Sequence, residues 1–476
     1  MQSLFPVTES KLQTDGCLPI SNRPFSSKGS QRLAIGWILI CEGVDASVSR
    51  ALSSRLTSYP TLKGGETMNK LYVGIDVACR DNTVCIMLPD GKKHSSFSVQ
   101  NNVGGAKTLS QKVVAALNDK GLFAVALGIE ATGVYGEHLI NFLREDGALG
   151  KFVRELYVLN PKQVKKFKDA YSDLPKTDAV DAFIIADSLR FGRITKAVYE
   201  ADYRYKALQT LTRSRFHVVQ NLVREKQRFM NHLFMKCSGL AQEKIFSNTF
   251  GATSISIIDE IESVEELASM DTEQLTAFII DKSKNHFVDP VCIAKSVKAA
   301  ARGSYRLPKT VNHSVNQVLA VSVSLIRAFQ AQIKTLDAQI AQLLNNIPQT
   351  LTSIPGIGTV LAAGIIAEIG DIKRFDNHPA LAKYAGLTWR RHQSGNFDAQ
   401  FTPMIRSGNR FLKYYLVEAA FSLVRCDTEF KRFYHLKYNE VNRFQHKRAL
   451  ALTARKFVRL VFSLLKDNRL YKPVLV

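Results

Sequence analysis

The apolar run Leu71-Tyr72-Val73-Gly74-Ile75 stops on an acid, Asp76, and a second run from Phe123 to Ile129 stops on another, Glu130. Apolar runs this short, bounded by polar residues, read as strands. Two further acids, Asp178 and Asp181, stand at i and i+3 where Lys176-Thr177-Asp178-Ala179-Val180-Asp181-Ala182 opens a helical pattern. Acids at strand ends and on one helical face can converge. Converged carboxylates repel one another and are pushed toward protonation unless a cation holds them, and hard oxygen ligands suit Mg²⁺. Taken singly, each has a structural reading as well: Glu130 as a solvated strand end, Asp178 and Asp181 as first-turn acids behind a Thr177 N-cap.

From Met68 the hydrophobic period alternates between two and 3.6. Strands are expected over 71–77 and 83–88, then a Pro89-Asp90-Gly91 turn and a polar strand around 94–99, an antiparallel meander. A helix is expected over about 106–117, a strand over 123–130, a helix over 135–144, and a strand over 155–159 stopped by Asn160-Pro161. Helices near 162–169 and 178–191 complete the series. Three strands, a helix, then alternating strand and helix is the element order of the ribonuclease H fold, an α/β domain placed here at 68–200.

A charged helix follows over about 207–233, with apolar positions at Leu211, Val218, Leu222, Phe229 and Leu233 and interruptions at Arg215 and Glu225. Residues 238–310 read as mixed helix and loop. Val315, Leu319, Ser322, Ile326, Phe329, Ile333, Leu336, Ile340, Leu343 and Ile347 then alternate spacings of four and three. That is a heptad seam, coiled-coil in type, about 48 Å long. Its partner is either the earlier helix, in a hairpin, or another subunit. In both cases the region 201–347, with its 238–310 insertion, separates two functional ends, and 348–476 forms a mainly α-helical C-terminal domain.

Lys and Arg number 64 against 42 Asp and Glu, a net charge of +22 that signals a polyanionic partner. Residues 401–476 hold 16 of those cations and 5 of the acids, a surplus of 11, so half the net charge sits in the last stretch. A solvated basic face is the other reading. Seven cysteines, odd in number and never spaced CxxC, support neither a disulfide framework nor a zinc site, so a reducing cytoplasm is expected. The apolar stretch 33–41 is too short to span a bilayer, and no membrane role is expected. Residues 1–67 are Ser-rich, lack sustained periodicity and end in Lys63-Gly64-Gly65-Glu66-Thr67 before Met68. Gly-Gly-Glu can be encoded by a purine-rich ribosome-binding site, so Met68 is the expected start; the alternative is a disordered leader.

Two motifs in the C-terminal domain carry chemistry. Ile354-Pro355-Gly356-Ile357-Gly358 leads into an Ala-rich helix, so the backbone at Gly356 and Gly358 is a candidate phosphate cradle of helix-hairpin-helix type; a tight turn without a ligand explains it too. Ser394, in Trp389-Arg390-Arg391-His392-Gln393-Ser394-Gly395-Asn396, lies among cations that could neutralise a phosphate under attack. Water is the alternative nucleophile. Arg390, Arg391, Arg406 and Lys413 are the candidate backbone-phosphate contacts.

In order along the chain, the segments Gly74-Ile75-Asp76, Glu130-Ala131-Thr132-Gly133, Asn160-Pro161, Lys176-Thr177-Asp178 with Asp181-Ala182, Ile354-Pro355-Gly356-Ile357-Gly358, Tyr384-Ala385-Gly386-Leu387, Ser394-Gly395, Gly408-Asn409 and Ala419-Ala420 resemble the IS110-type transposases, bacterial insertion-sequence recombinases. The resemblance implies a RuvC-like domain whose Asp-Glu-Asp-Asp tetrad is Asp76, Glu130, Asp178 and Asp181, holding Mg²⁺. It also implies a C-terminal transposase domain in which Ser394 forms a transient phosphoserine link to DNA. It further implies a homo-oligomer, dimer or tetramer, in which tetrad and serine of different subunits meet. A noncoding RNA that guides donor and target DNA is implied as well, as is a place in the bacterial cytoplasm with the nucleoid. The chain departs from the family pattern at Trp389 and at His392-Gln393. Against a recombinase stand a RuvC-like nuclease using water, an actin-like sugar kinase, for which Val77-Ala78-Cys79 supplies no Gly/Thr-rich phosphate turn, and a non-catalytic nucleic-acid-binding protein.

Overall fold

The computed structural model describes residues 70–473 except 131–132, 172–173, 193–202, 285, 391–392, 395–396 and 399–401. The expected leader with its Met68 start, and Arg391, lie outside the described residues. The chain divides near residue 200 into two units.

In the N-terminal unit, β1 (Lys70–Val77), β2 (Asp81–Met87) and β3 (Lys93–Gln100) form an antiparallel meander. Helix α1 (Val103–Lys120) is capped by Asn102 and stopped by Gly121 in the left-handed region. Then come β4 (Ala124–Glu130), α2 (Glu137–Glu145), β5 (Val153–Leu159), α3 (Pro161–Lys168) and α4 (Asp178–Arg190). The sheet order is β3-β2-β1-β4-β5, with β4 parallel to β1 and β5 parallel to β4. The apolar central strands are covered on both faces, whereas β3, with its Ser-rich alternation, lies at the edge.

Side-chain alternation sorts the two faces. Leu71, Val73 and Ile75 of β1 and Val125, Leu127 and Ile129 of β4 join Leu109, Val113, Leu139 and Leu143 from α1 and α2 in one core. Each such fully buried side chain contributes about 1.5–3 kcal/mol. On the opposite face, Tyr72 and Ala126 pack with Val164 of α3 and Ile184, Ile185 and Leu189 of α4. Asp76 and Glu130 therefore share the face that α4 covers.

The C-terminal unit begins with α5 (Tyr203–Lys236). Five shorter helices follow, α6 (Ser238–Gln242), α7 (Ala252–Glu260), α8 (Val264–Ser269), α9 (Thr272–Ser283) and α10 (Pro290–Arg302), before α11 (Lys309–Asn345). The shorter helices enclose a core of their own around Ile257, Leu275, Ile279 and Val297. Buried Lys236 donates to the carbonyls of Ile258 and Ile261 at 2.6 and 2.7 Å, at the C-terminal end of α7. The residues read as loop and helix thus form a small helical subassembly.

Helices α5 and α11 run antiparallel: Glu225 meets Ser322, Arg215 meets Asp337, and Arg204 meets the carbonyl of Asn346. The heptad seam therefore has a partner within the chain. Every polar interruption of the two stripes is answered across the pair, Ser322 by Glu225 at 2.5 Å and Arg215 by Asp337. The seam is unequal along its length. Val315, Leu319 and Ile326 are buried at one end and Ile340 and Ile347 at the other, while Phe329, Ile333 and Leu336 between them are half-buried.

Beyond α11, α12 (Thr359–Ile369) is buried along most of its length in the largest core of the unit. It is followed by α13 (His378–Tyr384), the short strands β6 (Gln393–Ser394) and β7 (Phe397–Asp398), α14 (Arg410–Cys426), α15 (Thr428–Asn439) and α16 (Gln445–Asp467). No helix among the described residues is long and apolar enough to cross a membrane.

Candidate active site

Asp76 is the penultimate residue of β1 and Glu130 the last of β4; the ladder pairs Ile75 with Ile129, one step before them. Across this strand end lies the start of α4. Thr177 caps the helix, its Oγ1 accepting from the Val180 N–H at 3.3 Å, so Asp178 and Asp181 occupy the first turn. Helix α4 comes down directly on Gly74, because a Cβ there would stand 2.1 Å from the Ala182 carbonyl oxygen. The residue before Ala182 is Asp181. Asp76 and Glu130, at the ends of two central strands, thus lie on the face that α4 covers, and Asp178 and Asp181 lie in the first turn of that helix.

The electrostatics carry the mark of that grouping. Burial, then the charges of Asp178 and Asp181, lifts the Asp76 carboxyl above its ordinary range. Burial, then Asp76 and Asp181, lifts Glu130 likewise. A cation is set against them: the Lys168 ammonium, at the end of α3, donates to Asp181 Oδ1 at 2.6 Å. Among the described residues no three His, Cys, Asp or Glu side chains converge on one point closely enough to grip an ion. The acids repel one another and Lys168 draws Asp181 to itself. Carboxylates are hard oxygen donors, the ligand type that divalent cations take.

In the C-terminal unit, Ser394 lies in a small antiparallel excursion between α13 and α14. Ser394 pairs with Phe397, Trp389 bridges Met404, and Arg390 N–H donates to the Pro403 carbonyl at 3.0 Å. The base of the excursion is pinched shut by two glycines at positive φ, Gly386 and Gly408, since a Cβ on Gly408 would stand 2.6 Å from the Gly386 Cα. Arg390 and Arg406 are exposed near this base, and Lys413 is half-buried on α14. Among the described residues, none of the three is paired with a carboxylate.

Gly356 has a packing reason to be glycine. Its φ is +82°, a Cβ would meet Cys426 Sγ at 2.9 Å, and its carbonyl accepts from Ser422 Oγ at 2.7 Å. Gly358 is the N-cap of α12 and faces open space.

Two features escape sequence reasoning. One is Lys168, indistinguishable in sequence from Lys162, Lys165 and Lys166. The other is Glu368, a fully buried acid in the apolar α12. It accepts from Arg213 Nε at 2.7 Å and Nη2 at 2.9 Å, from Asn409 Nδ2 at 2.6 Å and from Gln209 Nε2 at 3.2 Å. Asn409 in turn caps α14 through the Phe411 and Leu412 N–H groups, so Glu368 anchors the turn on which the Ser394 excursion closes. A lone acid in an Ala-rich helix was the available signal.

Comparison with known proteins adds a family. A model for DEDD-type IS110 transposases matches residues 73–235, and one described as transposase, IS116/IS110/IS902 family, matches residues 348–435. The chain is 25% identical to an uncharacterized 44.8 kDa protein of insertion element IS116 from Streptomyces clavuligerus, over 85% of this chain and 97% of that one. It is 25% identical, over the same shares, to an uncharacterized 42 kDa protein of insertion element IS900 from Mycobacterium paratuberculosis. A transposase of insertion sequence element IS1111A from Coxiella burnetii is 30% identical over 25% of this chain and 32% of its own.

Proposed function

The chain belongs to the IS110 family of transposases, enzymes that cut and rejoin DNA, and from that premise we propose that it recombines its own element by transesterification, with Ser394 as nucleophile and Asp76, Glu130, Asp178 and Asp181 as ligands for Mg²⁺. The observation that carries this reading is the gathering of four acids, two of them with raised pKa values, where β1 and β4 end against the start of α4. A central strand with an antiparallel hairpin on one side and parallel strands on the other supports a RuvC-like, ribonuclease H type of domain over 68–200. The helical region 201–347 and the transposase domain 348–476 complete the assignment.

When bound, Mg²⁺ would supply charge neutralisation at the phosphate undergoing attack. The chain's own residues do the rest. Ser394 Oγ bonds to phosphorus as a DNA oxygen leaves, and the phosphoserine ester keeps the phosphodiester bond energy, so rejoining needs no ATP. Arg390, Arg391, Arg406, Lys413 and the N–H groups at Gly356 and Gly358 hold backbone phosphates. The partners are donor and target DNA, a noncoding guide RNA and further copies of the chain, in the bacterial cytoplasm.

The deciding experiment traps the reaction on DNA carrying the element's ends. A DNA adduct on Ser394 that disappears in both Ser394→Ala and Asp76→Asn supports the proposal. Free ends together with an active Ser394→Ala variant would establish hydrolysis by water instead.

A further inference from the structure

Lys168 ends α3, and rings tie this end of α3 to α4: Phe167 of α3 meets Tyr171 just past α3 and Phe191 just past α4, and Tyr171 meets Phe183 of α4. That packing aims one of the four α3 lysines at the carboxylates. The ammonium reaches Asp181 at 2.6 Å with only 22% of its side chain exposed. Its field also acts on Asp76 and Glu130, and among the described cations it is the one that acts on both. A lysine serving only as packing would not turn its charge toward three acids of one cluster. An ordinary exposed ion pair would not be held by a locked helix.

We propose that Lys168 is the built-in counter-ion of the carboxylate centre: it competes with the divalent cation for Asp181, gives that carboxylate up when metal binds, and so sets how tightly the metal is held. The inference rests on reading Asp76, Glu130, Asp178 and Asp181 as metal ligands. An ammonium and a divalent ion on one carboxylate repel each other, so metal binding favours breaking the Lys168–Asp181 bond. Metal affinity is lowered by what that break costs, and the relation is reciprocal.

The test uses the full chain with Mn²⁺ alone as probe, free Mn²⁺ being read by electron paramagnetic resonance. Lys168→Met, which keeps the aliphatic stem, binds Mn²⁺ about fivefold or more tighter than wild type, and Lys168→Arg stays at wild-type affinity. Without metal the Met variant melts below wild type, and saturating Mn²⁺ closes the gap. Lys168→Gln gives the same reading where the Met variant does not fold. A folded neutral variant that binds Mn²⁺ no tighter than wild type, while Asp76→Asn abolishes binding, overturns the role of Lys168 alone. Binding that survives Asp76→Asn unchanged overturns the ligand reading and this proposal with it.

Discussion

Gly74 of β1 and Gly128 of β4 are register partners in the parallel ladder, and both lie beneath α4. A Cβ on Gly74 would stand 2.1 Å from the Ala182 oxygen and 2.4 Å from the Ala186 nitrogen; one on Gly128 would meet Leu189 Cδ1 at 2.7 Å. Two residues further along each strand, on the same face, come Asp76 and Glu130. The bare strip determines how closely the helix approaches and therefore which acids its first turn meets.

Gly74→Ala should destabilise the N-terminal unit by about 3 kcal/mol, because the clash is with helix backbone that no rotamer change can relieve. Gly128→Ala should cost about 1 kcal/mol, since its neighbour is the tip of a leucine. Urea unfolding of the two variants measures the difference. Equal losses would contradict the account of how α4 is seated.

The strands of this unit are legible because their apolar runs are short and end in turn residues or acids, whereas the common face of Asp76 and Glu130 comes from the parallel register that pairs Ile75 with Ile129. The heptad spacing between Val315 and Ile347 is equally plain, yet a stripe does not say what covers it; the pairing of Arg215 with Asp337 and of Glu225 with Ser322 appears only once α5 is laid beside α11. Lys168 is hidden for another reason. Lysines 162, 165, 166 and 168 look alike in sequence, and only the docking of α3 on α4 selects one. The donors that satisfy Glu368 come from α5 and the start of α14, far away in the chain, so a local pattern shows the acid and not its partners.

Asp76→Asn should abolish recombination and at the same time stabilise the metal-free protein at neutral pH. The folded state raises the Asp76 pKa, burial being the first cause. The folded chain therefore binds this proton more tightly than the unfolded chain does, and stability is lost as pH rises from the ordinary carboxylate range through the raised value. Asparagine removes that loss. Because the group is half-exposed, the gain at pH 7 is no more than about 1 kcal/mol, and it fades as pH falls to about 4. Melting curves in EDTA across this range check it; a variant less stable than wild type at pH 7 would reverse the sign.

Arg390→Ala should weaken DNA binding by the same factor on unrelated sequences, because a contact to backbone phosphate carries no base information. The slope of log affinity against log salt should become shallower by about 0.9, the loss of one phosphate contact. Affinity and slope indistinguishable from wild type would remove Arg390 from the interface.

Glu368→Ala should be the most damaging single change in the C-terminal unit. Donors from α5 and from Asn409 converge on this carboxylate, and removing one partner of a buried ion pair costs about 3–5 kcal/mol. Glu368→Gln keeps the shape but puts an amide donor among donors, at a cost of about 1–3 kcal/mol. Asn409 fixes both the start of α14 and, with Gly408 against Gly386, the closure of the Ser394 excursion. The glutamine variant should therefore lose serine–DNA adduct formation more steeply than DNA affinity. Adduct yield and binding falling in step would mean that Glu368 serves the stability of the unit and has no part in holding the excursion in place.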